Sequence, residues 1–170
     1  LLRKGRATMS FAITKEEEQK LMQARKASPY LLTLEENGVD YPIPDLEDAS
    51  RKILIDRDTV KSTMCTWGYS KFEGKTSLHK KHSHQDCEEI MFILSGKGVG
   101  GVGDFETIQQ AGDTIFVPRG ETHWFYNPFD EPLEMMWLYT KPSLRDAGYN
   151  LESRGYSDVS GDVEKQQFGK

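Results

Sequence analysis

The chain of 170 residues has only two cysteines, Cys65 and Cys87. Two cysteines cannot build the disulfide framework that marks small secreted domains, so we expect a reducing environment and a cytoplasmic location. No run approaches the roughly 20 apolar residues that a membrane-spanning helix needs, and we expect no membrane partner. The formal net charge of -5 offers no basic surface for phosphates, so no nucleic-acid partner is expected either. These absences favour a small-molecule substrate.

The pattern of helix formers and breakers divides the chain, which we expect to form one domain, into four segments. Thr14 and Glu17 form a capping-box pattern, which predicts a helix over 15–26 before Ser28 and Pro29 end it. The predicted segments are a leader over 1–9 that is not native sequence, the helix and an extended arm over 10–48, a β-barrel over 49–142 and a C-terminal extension over 143–170.

From about residue 52 onward the sequence changes to short runs with period-two alternation, separated by Gly, Pro, Asn and Asp. Such runs predict an all-β domain behind the single N-terminal helix. Strands are predicted over 52–55, 62–70, 88–94, 98–103, 114–117, 123–126 and 133–139. Short strands with regular turns between them suit a sandwich, a jelly roll or a barrel.

The chain has four histidines, and three of them, His79, His82 and His84, lie in what we interpret as the loop and strand entry just before Glu89. Residues two apart in an extended segment point to the same face, so His82 and His84 can direct both imidazoles into one site. Glu89 opens the next strand, and His123 comes from a later one. We therefore predict one divalent metal ion, bound by His82, His84, Glu89 and His123. This nitrogen and oxygen donor set suits Fe, Mn, Ni, Zn, Co or Cu, and an octahedral ion would keep two positions for ligands.

Two sequence motifs carry a resemblance to a known family. The segment from Gly112 to Asn127 reads Gly-x5-Pro-x-Gly-x2-His-x3-Asn, and it resembles the second signature motif of the cupins at every defined position. The segment 82–96 reads His-x-His-x4-Glu-x6-Gly, and it is similar to the core of the first cupin motif. Both motifs occur in the expected order.

The first motif departs from the cupin pattern at its beginning. Cupins usually have a glycine six residues before the first histidine, whereas Gly74 stands eight residues before His82. This difference predicts a longer entry loop. Glu88 would also satisfy the ligand spacing of the motif, but only Glu89 places Gly96 at the correct distance, so Glu89 is the preferred ligand.

The resemblance implies a double-stranded β-helix, the cupin form of the jelly roll, and frequently a homodimer. Inside such a barrel, residues that alternate with Glu89 and His123 face the interior. The expected lining of the substrate pocket is Met91, Phe125, Met135 and Trp137. The alternative role for these side chains is barrel core. Tyr139 and His79 are the candidates for moving protons, with His79 expected on the barrel rim.

The resemblance permits more than one function. The first is dioxygenase-like or lyase and decarboxylase-like chemistry on a small carboxylate or enolisable carbonyl compound, at a metal with open positions. The second is a sugar or sugar-phosphate isomerase or epimerase, for which Lys71, Lys75, Lys80 and Lys81 could form a basic clamp. The third is a non-enzymatic small-molecule binding or sensing cupin. One barrel hosts many chemistries, so the fold alone does not choose among them.

Overall fold

The computed structural model describes residues 12–43, 46–150 and 155–156. The chain divides into two compact units, Leu1–Leu32 and Thr33–Lys170. The leader predicted over 1–9 lies outside the described residues, as does most of the predicted extension beyond residue 150. The four segment boundaries therefore remain predictions.

The first unit contains helix α1, Lys15–Ala27. The Thr14 hydroxyl accepts a hydrogen bond from the Glu17 backbone nitrogen at 3.2 Å, and the Glu17 carboxylate accepts one from the Thr14 backbone nitrogen at 2.7 Å. This reciprocal cap confirms the predicted helix start, and such caps stabilise a helix by about 1 kcal/mol. Neither this helix nor any other in the described part of the chain is long and apolar enough to cross a membrane.

The second unit begins with a short helix α2, Leu34–Asn37, and continues in strands. The strands are β1 (Val39–Asp40), β2 (Ala49–Ile55), β3 (Thr66–Phe72), β4 (Thr76–His82), β5 (Glu89–Ser95), β6 (Lys97–Val102), β7 (Phe105–Gln110), β8 (Thr114–Val117), β9 (His123–Asn127), β10 (Leu133–Tyr139), β11 (Tyr149–Asn150) and β12 (Gly155–Tyr156).

Two antiparallel sheets form the body of this unit. One has the strand order β1-β2-β3-β10-β5-β8, and the other has the order β4-β9-β6-β7, while β11 pairs with β12. Most neighbours within each sheet are distant in sequence, as in a jelly roll. The predicted all-β fold with an N-terminal helix is confirmed, with α2 as an addition.

Side chains alternate between the two faces of the long strands. In β5, Met91 and Ile93 are buried, and in β10 the residues Met135, Trp137 and Tyr139 are buried in the same alternation. These side chains belong to one apolar core. The structure therefore confirms the prediction that these side chains point inward.

Strands β4 and β7 are missing from the sequence prediction. The sequence of β4, TSLHKKH, is mostly polar, and β7 is exposed at all but one position, so neither shows a clear apolar alternation. The expectation that His79 and His82 lie in the loop and strand entry before Glu89 is therefore wrong, because both lie in β4, a separate strand. The prediction also started β3 too early: Cys65 donates its backbone N–H to the Ser62 hydroxyl at 3.2 Å, which makes a turn there.

Candidate metal centre

Four buried side chains converge at one end of the barrel. His82 ends β4, His84 lies in the following loop, Glu89 begins β5 and His123 begins β9. Because β4 pairs with β9, His82 and His123 are direct cross-strand partners. One ligand atom from each of the four residues lies within 4.8 Å of the others. The structure thus brings together the four residues that the sequence predicts as ligands.

Backbone carbonyls orient the three imidazoles. Nδ1 lies 2.8 Å from the Lys80 carbonyl oxygen in His82, and 2.8 Å from the Ala147 carbonyl oxygen in His84. In His123 the corresponding distance, to the carbonyl oxygen of residue 121, is 3.3 Å. A carbonyl can only accept, so the two 2.8 Å contacts assign the proton of His82 and His84 to Nδ1 and leave their Nε2 lone pairs for the centre of the cluster.

Glu89 completes the cluster. Its Oε2 lies 2.7 Å from Nε2 of His123 and 3.8 Å from Nε2 of His84. Burial alone would raise the pKa of Glu89, but the surrounding imidazoles, led by His123, outweigh it and hold the pKa below its usual value. The carboxylate is therefore charged at neutral pH.

His82, in contrast to Glu89, is uncharged, and burial is the main cause. Burial lowers its pKa well below 6.5, and His123 and His84 act in the same direction. A neutral imidazole with a protonated Nδ1 and a charged carboxylate are the forms that bind metal ions. Two donors on one ion at bond lengths of about 2.1 Å are at most about 4.2 Å apart, so the observed spacing is close to what one ion requires. The four residues fit a single divalent ion.

A narrow cavity of about 30 Å³ adjoins Glu89 and His123. Its walls include the four predicted pocket residues and both predicted proton carriers, Met91, Phe125, Met135, Trp137, Tyr139 and His79. The Trp137 indole N–H donates to the Ser70 hydroxyl at 2.9 Å, so this group already has a protein partner. Trp137 therefore forms part of the cavity wall, and its N–H is already used within the protein rather than offered to a substrate.

His79 and Tyr139 each lie against the ring of a different ligand histidine. The His79 ring lies 5.0 Å from the ring of His82, and the Tyr139 ring lies 4.9 Å from that of His84. Burial lowers the pKa of His79 to about 3, and the positive charge of Arg51 adds to this effect. The expectation that His79 sits on the rim is wrong, because it lines the cavity from within β4.

Two features of the site are absent from the sequence prediction. Arg51, 4% exposed, lines the cavity and donates from Nε and Nη2 to the carbonyl oxygens of Tyr41 and Pro42. Arg51 stands one residue before the predicted start of its strand. Because residues two apart in a strand face the same side, its spacing from the apolar Ile53 could have indicated that Arg51 points inward. The Ala147 carbonyl had no sequence signal, because any residue supplies a backbone carbonyl.

Comparison with known proteins shows what the barrel is similar to. Residues 68–139 match the family model described as Cupin domain. An acireductone dioxygenase from Frankia alni is 33% identical over 88 residues, which is 49% of this chain and 42% of that protein. The chain thus spans less than half of that relative's length.

Solved structures agree with this fold. A predicted oxalate decarboxylase from Thermotoga maritima superposes with a TM-score of 0.57 at 19% identity, covering 65% of this chain and 98% of that one. Oxalate decarboxylase from Bacillus subtilis, with Mn(II) centres, gives 0.55 at 22% identity, covering 76% of this chain and 31% of that one. Residues 68–139 thus match a cupin domain, and the predicted cupin jelly-roll fold is confirmed.

Proposed function

We propose that this protein is a metal-dependent enzyme that acts on a small carboxylate or enolisable carbonyl compound by dioxygenase-like or decarboxylase-like chemistry. The observation that carries the proposal is the convergence of three oriented imidazoles and one charged carboxylate on a point beside a cavity. A divalent ion held there would supply a Lewis-acid or redox centre. The relatives named above, a dioxygenase and decarboxylases, support the same two reaction classes.

The cavity supports a small anionic substrate. A volume of about 30 Å³ admits about two water molecules or a ligand of a few heavy atoms. Arg51 is one of the residues that line this cavity, and its positive charge reaches as far as His79. A cation in an apolar cavity favours an anion, so a short carboxylate suits it better than a neutral sugar.

The residues have separate roles in this proposal. His82, His84, Glu89 and His123 hold the ion. Tyr139 can hold a proton on its hydroxyl oxygen beside the ligands. His79, with a pKa of about 3, stays neutral at physiological pH, so it would pass a proton between its ring nitrogens rather than store a positive charge. The apolar walls exclude water from the reacting atoms.

For the metal, we propose Mn or Fe first among Fe, Mn, Ni, Zn, Co and Cu. The Mn(II) centres of the Bacillus subtilis neighbour support manganese, and a site of mixed nitrogen and oxygen donors suits both ions.

A cytoplasmic location remains part of the proposal, and the two free cysteines, Cys65 and Cys87, are in keeping with it.

The isomerase alternative has less support. Two of the lysines that could clamp a sugar phosphate are engaged by acidic neighbours: Lys71 lies 2.6 Å from Glu73, and Lys75 lies 2.8 Å from Asp130. A phosphate would have to displace these carboxylates. We therefore do not favour a phosphorylated substrate.

The test is a turnover assay on metal-loaded protein with a panel of short carboxylates. Oxygen consumption or carbon dioxide release that His123→Ala abolishes supports the proposal. Interconversion of an aldose and a ketose would instead establish the isomerase. Saturable carboxylate binding without any turnover would establish a binding or sensing protein.

We further propose a homodimer that packs through the outer face of the six-stranded sheet. On β5, Ile90, Phe92 and Leu94 are 38%, 40% and 43% exposed, and Phe116 on β8 pairs with Ile90 and is 52% exposed. The spacing of strands and residues gives this patch an area of roughly 300 Å². Patches of this size mark interaction sites, and one could form the apolar centre of a standard interface.

Light scattering tests the dimer with two matched substitutions. Ile90→Glu places a charge in the patch, whereas Ile108→Glu makes the same change on β7 of the other sheet, where Ile108 is 61% exposed. We expect a dimeric parent, a monomeric Ile90→Glu variant and a dimeric Ile108→Glu variant. A monomeric parent, or a dimer that survives Ile90→Glu, would contradict the proposal.

A further inference from the structure

A turn that follows β10 packs into the core of the second unit. Leu144 and Ala147 are each only 2% exposed. The Ser143 hydroxyl accepts from the Asp146 backbone nitrogen at 3.1 Å and donates to the Asp146 carboxylate at 2.8 Å. Gly148 has a φ of +106°, a conformation that other residues rarely adopt. The segment 142–148, which we name the closing turn, therefore has a defined shape.

The closing turn is attached to the loop after β2 at two points. The Arg57 backbone nitrogen donates to the Pro142 carbonyl oxygen at 2.7 Å. The Arg57 guanidinium forms an ion pair with the Asp146 carboxylate at 2.5 Å. These two contacts involve both ends of one residue, so Arg57 fixes the position of the turn relative to the barrel.

The closing turn also supplies the carbonyl that orients one metal ligand. Nδ1 of His84 lies 2.8 Å from the Ala147 oxygen, and these two residues are 63 positions apart. The carbonyls that accept from His82 and His123 belong to residues only two positions away in sequence. Local backbone geometry therefore orients those two rings, whereas the orientation of His84 depends on a remote segment.

We infer that the closing turn is a positioning element of the metal centre, in which Arg57, Asp146 and Ser143 hold the Ala147 carbonyl against His84. The inference rests on the proposed metal site. Partners that fix the tautomer and angle of a metal-bound histidine commonly change metal affinity about tenfold to a hundredfold when they are lost. Arg57 and Asp146 lie outside the ligand cluster, so they act through His84 and not on the ion.

The test compares two ion-pair deletions. Asp146→Ala removes the pair with Arg57 and the contact with Ser143, and Asp130→Ala removes the exposed pair with Lys75 as the matched control. We expect the dissociation constant for Mn²⁺, measured by calorimetry, to rise about tenfold to a hundredfold in Asp146→Ala. It should stay unchanged in Asp130→Ala, and Asp146→Asn should recover part of the loss.

A second readout does not depend on the metal. Nitrogen-15 NMR of the imidazoles in metal-free protein reports which ring nitrogen of His84 carries the proton, and Asp146→Ala should shift this population away from Nδ1. Circular dichroism checks that Asp146→Ala folds. If it does not fold, Arg57→Ala removes the same ion pair by changing its more exposed partner. An unchanged tautomer of His84 in the folded variant would overturn the inference. Absence of Mn²⁺ binding by the parent would instead count against the proposed function, while the tautomer would still decide the role of the turn.

Discussion

Acid should destabilise the metal-free protein steeply, and His79 should account for a defined part of the effect. Burial and the charge of Arg51 lower the pKa of His79 to about 3, whereas the unfolded chain has the ordinary value of 6.5. Between these two values the unfolded state binds one more proton than the folded state at this residue. The free energy of unfolding therefore falls as pH is lowered from 6.5 towards 3.

The size of the effect follows from the linkage relation. One proton of difference changes the free energy of unfolding by about 1.4 kcal/mol per pH unit. Because the unfolded histidine is only half protonated at pH 6.5, His79 should contribute a loss of about 1.6 kcal/mol between pH 6.5 and pH 5, which is a substantial fraction of the 5–15 kcal/mol typical of folded domains. Burial lowers the pKa of His82 too, so the parent protein should lose more than this amount.

Urea unfolding of the chelator-treated protein at several pH values between 5 and 7.5 measures the slope. His79→Gln keeps a neutral polar side chain that cannot titrate, so near pH 5 the slope of its unfolding free energy against pH should be smaller than that of the parent by about 1.3 kcal/mol per unit, and this difference should fade above pH 7, where the unfolded histidine is no longer protonated. Any loss of ring packing against Phe72 is independent of pH and does not affect this comparison. Equal slopes for the two proteins would refute the reasoning.

Two substitutions, one behind the cavity wall and one in it, test how tightly the wall is packed. A Cβ on Gly98 would lie 2.2 Å from Cζ of Phe125, so Gly98→Ala should lower the free energy of unfolding by about 1–3 kcal/mol, and the added change Phe125→Leu should restore part of it. Trp137→Phe leaves the buried Ser70 hydroxyl without the indole donor and should cost about 1–3 kcal/mol in the same urea assay, with Ser70→Ala as the compensating second change. Unchanged midpoints in both single variants would mean that the wall is loosely packed.

The second sequence motif predicted its part of the structure well, because its residues act locally. Asn127 ends β9 and closes a turn: its side-chain amide donates to the carbonyl oxygen of Glu131 at 2.8 Å, and its side-chain oxygen accepts from the Phe129 backbone nitrogen at 3.1 Å. Gly112 and Gly120 both have positive φ, as turn glycines do. Residue type and spacing alone carry this kind of information.

The site was less predictable where it depends on distant parts of the chain. The ligand set followed from donor chemistry and from spacing, but the polar sequence of β4 concealed the strand that carries His79 and His82. Arg51 was missed because a charged residue next to a predicted strand is more often exposed than buried. The carbonyl that orients His84 comes from beyond the predicted barrel, and only the folded chain shows that contact.

Elemental analysis of the purified protein tests the central claim most directly, with two histidine substitutions for comparison. We expect about one divalent ion per chain in the parent and in His79→Ala, because His79 is not one of the four clustered donors, and almost none in His123→Ala. A parent protein without stoichiometric metal, or a His123→Ala variant that retains as much metal as the parent, would contradict the claim that these side chains form a metal site.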